Sequence, residues 1–159
     1  MKSLFNKKTL SALILAMTAA TVANADTVYQ GPSGGSGGST FYDSPNTVRW
    51  INVRHGSLVD SIQSWFSNGA VSGHHGGYGG VSDWFYVPPG QFLSYVWGYS
   101  GVYTDSIAFC TNTWNCSPRW GGNGGQYFSY QAPAGYEIAG FRGRSGSLLD
   151  AVGVIIRKL

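Results

Sequence analysis

Three aspartates stand out because each follows a glycine by four residues. Gly56-Ser57-Leu58-Val59-Asp60 is the first such run, Gly101-Val102-Tyr103-Thr104-Asp105 the second, and Gly146-Ser147-Leu148-Leu149-Asp150 the third. Their glycines are spaced by 45 residues both times. An ionised carboxylate offers two acceptor oxygens, and charge-assisted hydrogen bonds are the stronger kind. Loop N–H groups beside it are donors that order no side chain. An acceptor pair next to fixed donors suits adjacent hydroxyls on a polyol.

A second motif supplies the other wall. Gly34-Gly35-Ser36-Gly37-Gly38, Gly76-Gly77-Tyr78-Gly79-Gly80 and Gly121-Gly122-Asn123-Gly124-Gly125 are each GGxGG. Glycine lets a backbone approach a ligand closely and adopt φ > 0. Each cluster is followed by aromatic residues: Phe41-Tyr42, Trp84-Phe85-Tyr86, and Tyr127-Phe128 with Tyr130. After each aspartate come a small residue and a β-branched one, Ser61-Ile62, Ser106-Ile107 and Ala151-Val152. The pairing of both motifs three times marks internal triplication, with units of roughly 34–75, 76–120 and 121–159.

The elements that must position these loops read as strands. Val48 to Arg54 has the β-branched content and period of a strand, and Phe92 to Tyr99 and Glu137 to Arg144 are its counterparts. Ser106-Ile107-Ala108-Phe109 and Val152 to Ile156 read likewise, while Pro88-Pro89-Gly90 and Ala132-Pro133-Ala134-Gly135 are turns. No convincing capped helix follows residue 25. Each unit supplies three or four short strands that cannot bury a face alone. Three sheets packed about a common axis share one core, which predicts an all-β prism with pseudo-threefold symmetry.

Composition narrows the function. Lys2, Lys7 and Lys8, the run Leu10–Ala20 and Ala23-Asn24-Ala25 form the n-region, apolar core and cleavage site of a secretory signal peptide over residues 1–25. The apolar run is short of the roughly 20 residues that a membrane span needs. Without those three lysines, seven basic residues remain of ten, against seven acidic ones. A mature charge near zero argues against nucleic acid or an anionic membrane as the partner. The expectation is one domain over 26–159, secreted or periplasmic, with no membrane span. Charged residues make up 11% of the chain, against the aromatic-poor, charge-rich composition of disorder. Cys110 and Cys116, separated by five residues, fit a small disulfide loop better than a redox or zinc motif.

GGxGG loops paired with GxxxD motifs resemble the jacalin-related lectins, nearest to griffithsin-like mannose-binding members in which all three units carry both motifs. The resemblance covers nearly the whole chain after residue 25. It implies a β-prism I fold of three Greek-key-like sheets, and a lectin with no cofactor that takes terminal mannose-type hexoses. It also implies three carbohydrate sites. Asp60 with the backbone of Ser57 and Leu58 would join Gly80; Asp105 with Val102 and Tyr103 would join Gly125; Asp150 with Ser147 and Leu148 would join Gly38. Leu58 and Leu148 depart from the tyrosine that griffithsin-like members carry there, and only Tyr103 keeps it.

Other readings are weaker. Glycoside hydrolysis needs two carboxylates across one bond, and three of the seven acidic residues are dispersed one per repeat. No Ser-His-Asp pattern is evident either, so no enzyme is expected. His74-His75 has no nearby Cys or carboxylate in sequence, which favours a solvated or sugar-contacting pair over a metal site. His55 could line the first site. Arg54, Tyr99 and Arg144 share one repeat position, and either flank the loops or end a strand. Trp65, Trp114 and Trp120 are either core or exposed stacking surfaces. The non-lectin alternative is a β-prism interaction or matrix-adhesion module whose aspartates only cap loops. Homodimer formation is left open.

Overall fold

The computed structural model describes residues 26–159. The expected signal peptide, 1–25, lies outside the described residues. Twelve strands and no helix make up the described chain. They are β1 (Thr27–Gly34), β2 (Ser39–Tyr42), β3 (Val48–His55), β4 (Val59–Phe66), β5 (His75–Gly76), β6 (Val81–Tyr86), β7 (Leu93–Ser100), β8 (Thr104–Thr111), β9 (Trp120–Gly121), β10 (Gln126–Gln131), β11 (Tyr136–Ser145) and β12 (Leu149–Lys158). They form three four-stranded sheets, ordered β5-β4-β3-β6, β10-β7-β8-β9 and β1-β12-β11-β2, and every pairing is antiparallel.

The sheets do not coincide with the sequence units. A period fixes repeat length but not where a sheet begins. Each GxxxD hairpin (β3–β4, β7–β8, β11–β12) pairs with strands flanking the next glycine loop along the chain. The third hairpin has no later loop, so it pairs with β1 and β2 from the start of the domain. That sheet joins both ends of the chain and closes the ring.

Alternation puts one face of each sheet inside. In β3, Ile51 and Val53 are fully buried, while Trp50 is exposed. One phenylalanine from each sheet meets its neighbours near the axis. Phe109 lies 5.8 Å from Phe85 and 5.9 Å from Phe141 between ring centroids. Fully burying such a ring is worth roughly 1.5–3 kcal/mol, so the three sheets hold one another through a shared core.

Each hairpin carries the same two irregularities. Register shifts fall between Val48 and Trp50, Leu93 and Tyr95, and Ile138 and Gly140. They recur between Arg54 and His55, Tyr99 and Ser100, and Arg144 and Ser145. A β-bulge bends its strand and redirects the chain beyond it. The second set lies one or two residues before each GxxxD loop, so all three loops leave their hairpins in the same way.

Candidate functional site

Each aspartate faces the glycine loop carried by its own sheet. A Cβ on Gly79 would lie 2.7 Å from Asp60 Oδ1, and one on Gly80 would lie 2.8 Å from Asp60 Oδ2. The equivalent distances to Asp105 are 2.7 Å from Gly124 and 2.5 Å from Gly125; those to Asp150 are 2.5 Å from Gly37 and 2.7 Å from Gly38. A side chain at either position would fill the space over the carboxylate. Gly80, Gly125 and Gly38 also have φ of +69°, +86° and +66°, a region that L side chains rarely adopt. Sequence reasoning paired these three glycines with the three aspartates; the glycine before each, at 37, 79 and 124, stands equally close.

Backbone hydrogen bonds repeat around the ring. Gly77, Gly122 and Gly35 N–H groups donate to the carbonyls of Asp60, Asp105 and Asp150 at 2.9, 2.8 and 2.9 Å. Gly56, Gly101 and Gly146 N–H groups donate to Leu58, Tyr103 and Leu148 carbonyls at 2.9, 2.8 and 3.0 Å, which closes each GxxxD turn. Each glycine loop also abuts a second GxxxD loop. A Cβ on Gly122 would collide with the Ser57 carbonyl, one on Gly35 with Val102 and one on Gly77 with Ser147. All three loop pairs therefore sit on one end of the prism, in mutual contact.

Among the described residues, no protein donor reaches the carboxylates of Asp60, Asp105 or Asp150. Asp43 differs: its oxygens accept from the Phe141 N–H at 2.9 Å and pair with His75 Nε2 at 2.9 Å. Asp83 pairs with His55 Nε2 at 2.7 Å. The three motif carboxylates are left to accept from something else.

The repeat position before each bulge is part of the loop support. Arg54 donates from Nε to the Gly79 carbonyl and from Nη2 to the Gly80 carbonyl, both at 3.0 Å. Arg144 does the same to Gly37 and Gly38 at 2.9 and 2.8 Å. Tyr99 replaces the arginine in the second unit, with the Arg119 guanidinium 5.1 Å from its ring centre. Tyr99 also stacks edge-on against Tyr127. Of the middle residues, Tyr103 is exposed while Leu58 and Leu148 are half-buried. A recess of about 500 Å³ opens beside the second loop, between Ser33–Gly34 and Gly125–Phe128.

All three histidines are partly buried and have partners within the protein. His75 bridges to buried Asp43 and stacks on Phe41 with ring centroids 3.8 Å apart, tying β5 to the segment after β2. His74 bonds the Gly77 carbonyl at 2.9 Å and stacks on Tyr78. His55 turns to Asp83. The carboxylate that sequence reasoning did not find for His75 comes from the segment after β2, 32 residues away. Among the described residues no three His, Cys, Asp or Glu side chains gather as a metal would need. Of the undecided tryptophans, Trp120 is buried, Trp65 half-buried and Trp114 exposed. Trp114 lies within the loop closed by the Cys110–Cys116 disulfide. Two tyrosine hydroxyls are shifted. A hydrogen bond to Tyr127 and burial raise Tyr95, and burial raises Tyr130.

The Jacalin-like lectin domain model matches residues 30–155. The chain belongs to the jacalin-like lectin family. Jacalin-related lectin 19 of Arabidopsis thaliana is 36% identical over 140 residues, covering 80% of this chain and 78% of that one. The lectin domain spans only about a fifth of myrosinase-binding protein 2 of the same plant, to which it is 32% identical over 127 residues. Among solved structures, a mannose-binding jacalin-related lectin from Ananas comosus superposes with a TM-score of 0.75 at 28% identity, covering 85% of this chain and 100% of that one. A mannose-binding lectin from champedak gives 0.75 at 29%, covering 83% and 97%.

Proposed function

We propose that the protein is a secreted lectin that takes terminal mannose-type hexoses through the three loops around Asp60, Asp105 and Asp150. The carrying observation is that all three carboxylates stay unspent by the protein, each with two glycines against its oxygens. An aspartate that served only to cap its loop would accept from that loop. The N–H groups of Ser57–Leu58, Val102–Tyr103 and Ser147–Leu148 lie in the same turns and are offered as donors to the same ligand. The similarity to mannose-binding lectins, including artocarpin solved with methyl α-mannose at 25% identity, supports the choice of hexose.

Each loop holds one carboxylate, half of the pair that glycoside hydrolysis uses, so the reading is binding without turnover. A single shallow site in contact with water suits weak affinity for one sugar. Three sites on one rigid end gain through effective concentration on a branched glycan. Residues 1–25 are proposed as a signal peptide delivering the domain to the periplasm or the exterior.

Calorimetric titration of residues 26–159 with methyl α-mannoside, beside Asp150→Ala, tests the reading. Heat from the parent and a lower stoichiometry in the variant are expected, with unchanged circular dichroism. Equal stoichiometry in both would remove Asp150 from the site.

A further inference from the structure

The outer face of the sheet β5-β4-β3-β6 carries a cleft of about 360 Å³ lined by Trp50, Trp65 and Trp84. Trp50 and Trp84 stand nearly perpendicular, with centroids 6.3 Å apart at 84°. Trp65 lies 4.9 Å from Trp84, and Tyr86 lies 4.2 Å from Trp50. Trp50, Trp84 and Tyr86 are 42%, 51% and 41% exposed. The prism does not require these rings, and its own repeats show it. At the positions of Trp50, Trp65 and Trp84, the second sheet has Tyr95, Cys110 and Ser129. The closing sheet has Gly140, Ile155 and Tyr42.

The cleft is continuous with the first loop. Arg54 pairs with Ser82, Asn52 with Trp84, and Trp50 with Tyr86, along one outward face of β3 and β6. At roughly 3.3 Å per residue, Trp84 lies about 7 Å and Trp50 about 13 Å from the row where Arg54 holds the Gly79 and Gly80 carbonyls. Those are the spans of one to three hexose units.

We infer that this cleft is an extended subsite in which the inner residues of a glycan stack on Trp84 and Trp50 while its terminal hexose occupies the Asp60 loop. The inference rests on the sugar-binding reading of that loop. The chemistry fits an uncharged chain. A pyranose presents a C–H face that packs on an aromatic ring and keeps its hydroxyls at the rim, and the cleft is lined by indoles with no charged group. A second copy of the chain fits poorly. Three rings of roughly 200 Å² each, a little under half exposed, leave on the order of 300 Å², well below the ~800 Å² per partner of a standard interface.

The test compares methyl α-mannoside with a linear mannohexaose on residues 26–159, Trp84→Ala, Trp50→Ala, Trp84→Phe and Asp60→Ala, with sedimentation and melting of each. The parent is expected to bind the hexasaccharide at least 10-fold more tightly than the monosaccharide, with a change in tryptophan fluorescence. Both alanine variants should lose that gain, keep the monosaccharide affinity and sediment as the parent does. Trp84→Phe should restore part of it. A parent with no preference for the hexasaccharide, or alanine variants that keep the preference, would overturn the subsite. So would alanine variants that turn a dimer into a monomer, which would make the cleft a subunit interface. If Asp60→Ala leaves hexasaccharide binding intact while Trp84→Ala abolishes it, the cleft binds sugar alone and the reading of the Asp60 loop fails instead.

Discussion

Arg54 and Arg144 each grip two carbonyls of a glycine loop, whereas the second loop has Tyr99 at that position, with Arg119 reaching over its ring. The Asp–Gly geometry is nevertheless the same to within a few tenths of an ångström in all three. What the fold preserves is the path of the loop backbone, set by the bulges and by glycines that no other residue can replace. The side chains that brace it are interchangeable. The first and third loops are clamped with charge-assisted bonds, and the second is braced by stacking beside an open recess. The clamped loops should thus be the stiffer pair, and the second the site most open to larger or branched glycans.

The prediction of largest effect removes the basis for comparing sites at all. Phe109→Ala takes away the ring that meets Phe85 and Phe141. It should cost about 3–5 kcal/mol in urea unfolding and weaken the three sites together; loss at one site alone would mean that the sheets do not share a core. Next, Gly80→Val should silence the first site only, through its φ of +69° and the Asp60 oxygen 2.8 Å from the new Cβ. The strain should lower stability by about 1–3 kcal/mol, and calorimetry should show one site fewer. Cys110→Ser with Cys116→Ser opens a loop of six-residue separation. By loop entropy that should cost about 2 kcal/mol, read in the melting temperature, with hexose affinity unchanged. The smallest effects sharpen the contrast between braces. Arg144→Ala should weaken the third site about tenfold, by roughly 1–2 kcal/mol of lost charged hydrogen bonding. Arg119→Ala should weaken the second by no more than about 0.5–1 kcal/mol, the worth of an exposed cation–π contact.

How far these features could be read from the chain depends on whether a residue's partner is local or repeated. The triplicate spacing of Gly56, Gly101 and Gly146 carried the prism, because a 45-residue period of short strands has few ways to bury its faces. The pairing of Gly80 with Asp60 followed from the family resemblance, and the sheet that holds both loops explains it. The phase of the sheets was not legible, since pairing of β1 with β12 is a property of ring closure, not of any local pattern. Nor was His75 with Asp43: neither belongs to a repeated motif, and their contact joins β5 to the segment after β2, 32 residues away. Arg54 and Arg144 were visible as one repeat position, but Tyr99 in the middle copy hid the clamp. Trp50 read as an ordinary strand residue and Trp84 as one of the aromatics after a glycine cluster, because local pattern shows where a ring sits but not which rings gather.

The central claim is that three equivalent aspartates each bind one hexose. The direct measurement is calorimetric stoichiometry for methyl α-mannoside across the parent, the three single Asp→Ala variants at 60, 105 and 150, and the triple variant, at matched folding by circular dichroism. Three sites per chain are predicted for the parent, two in each single variant and none in the triple. Binding that survives the triple substitution would contradict the claim.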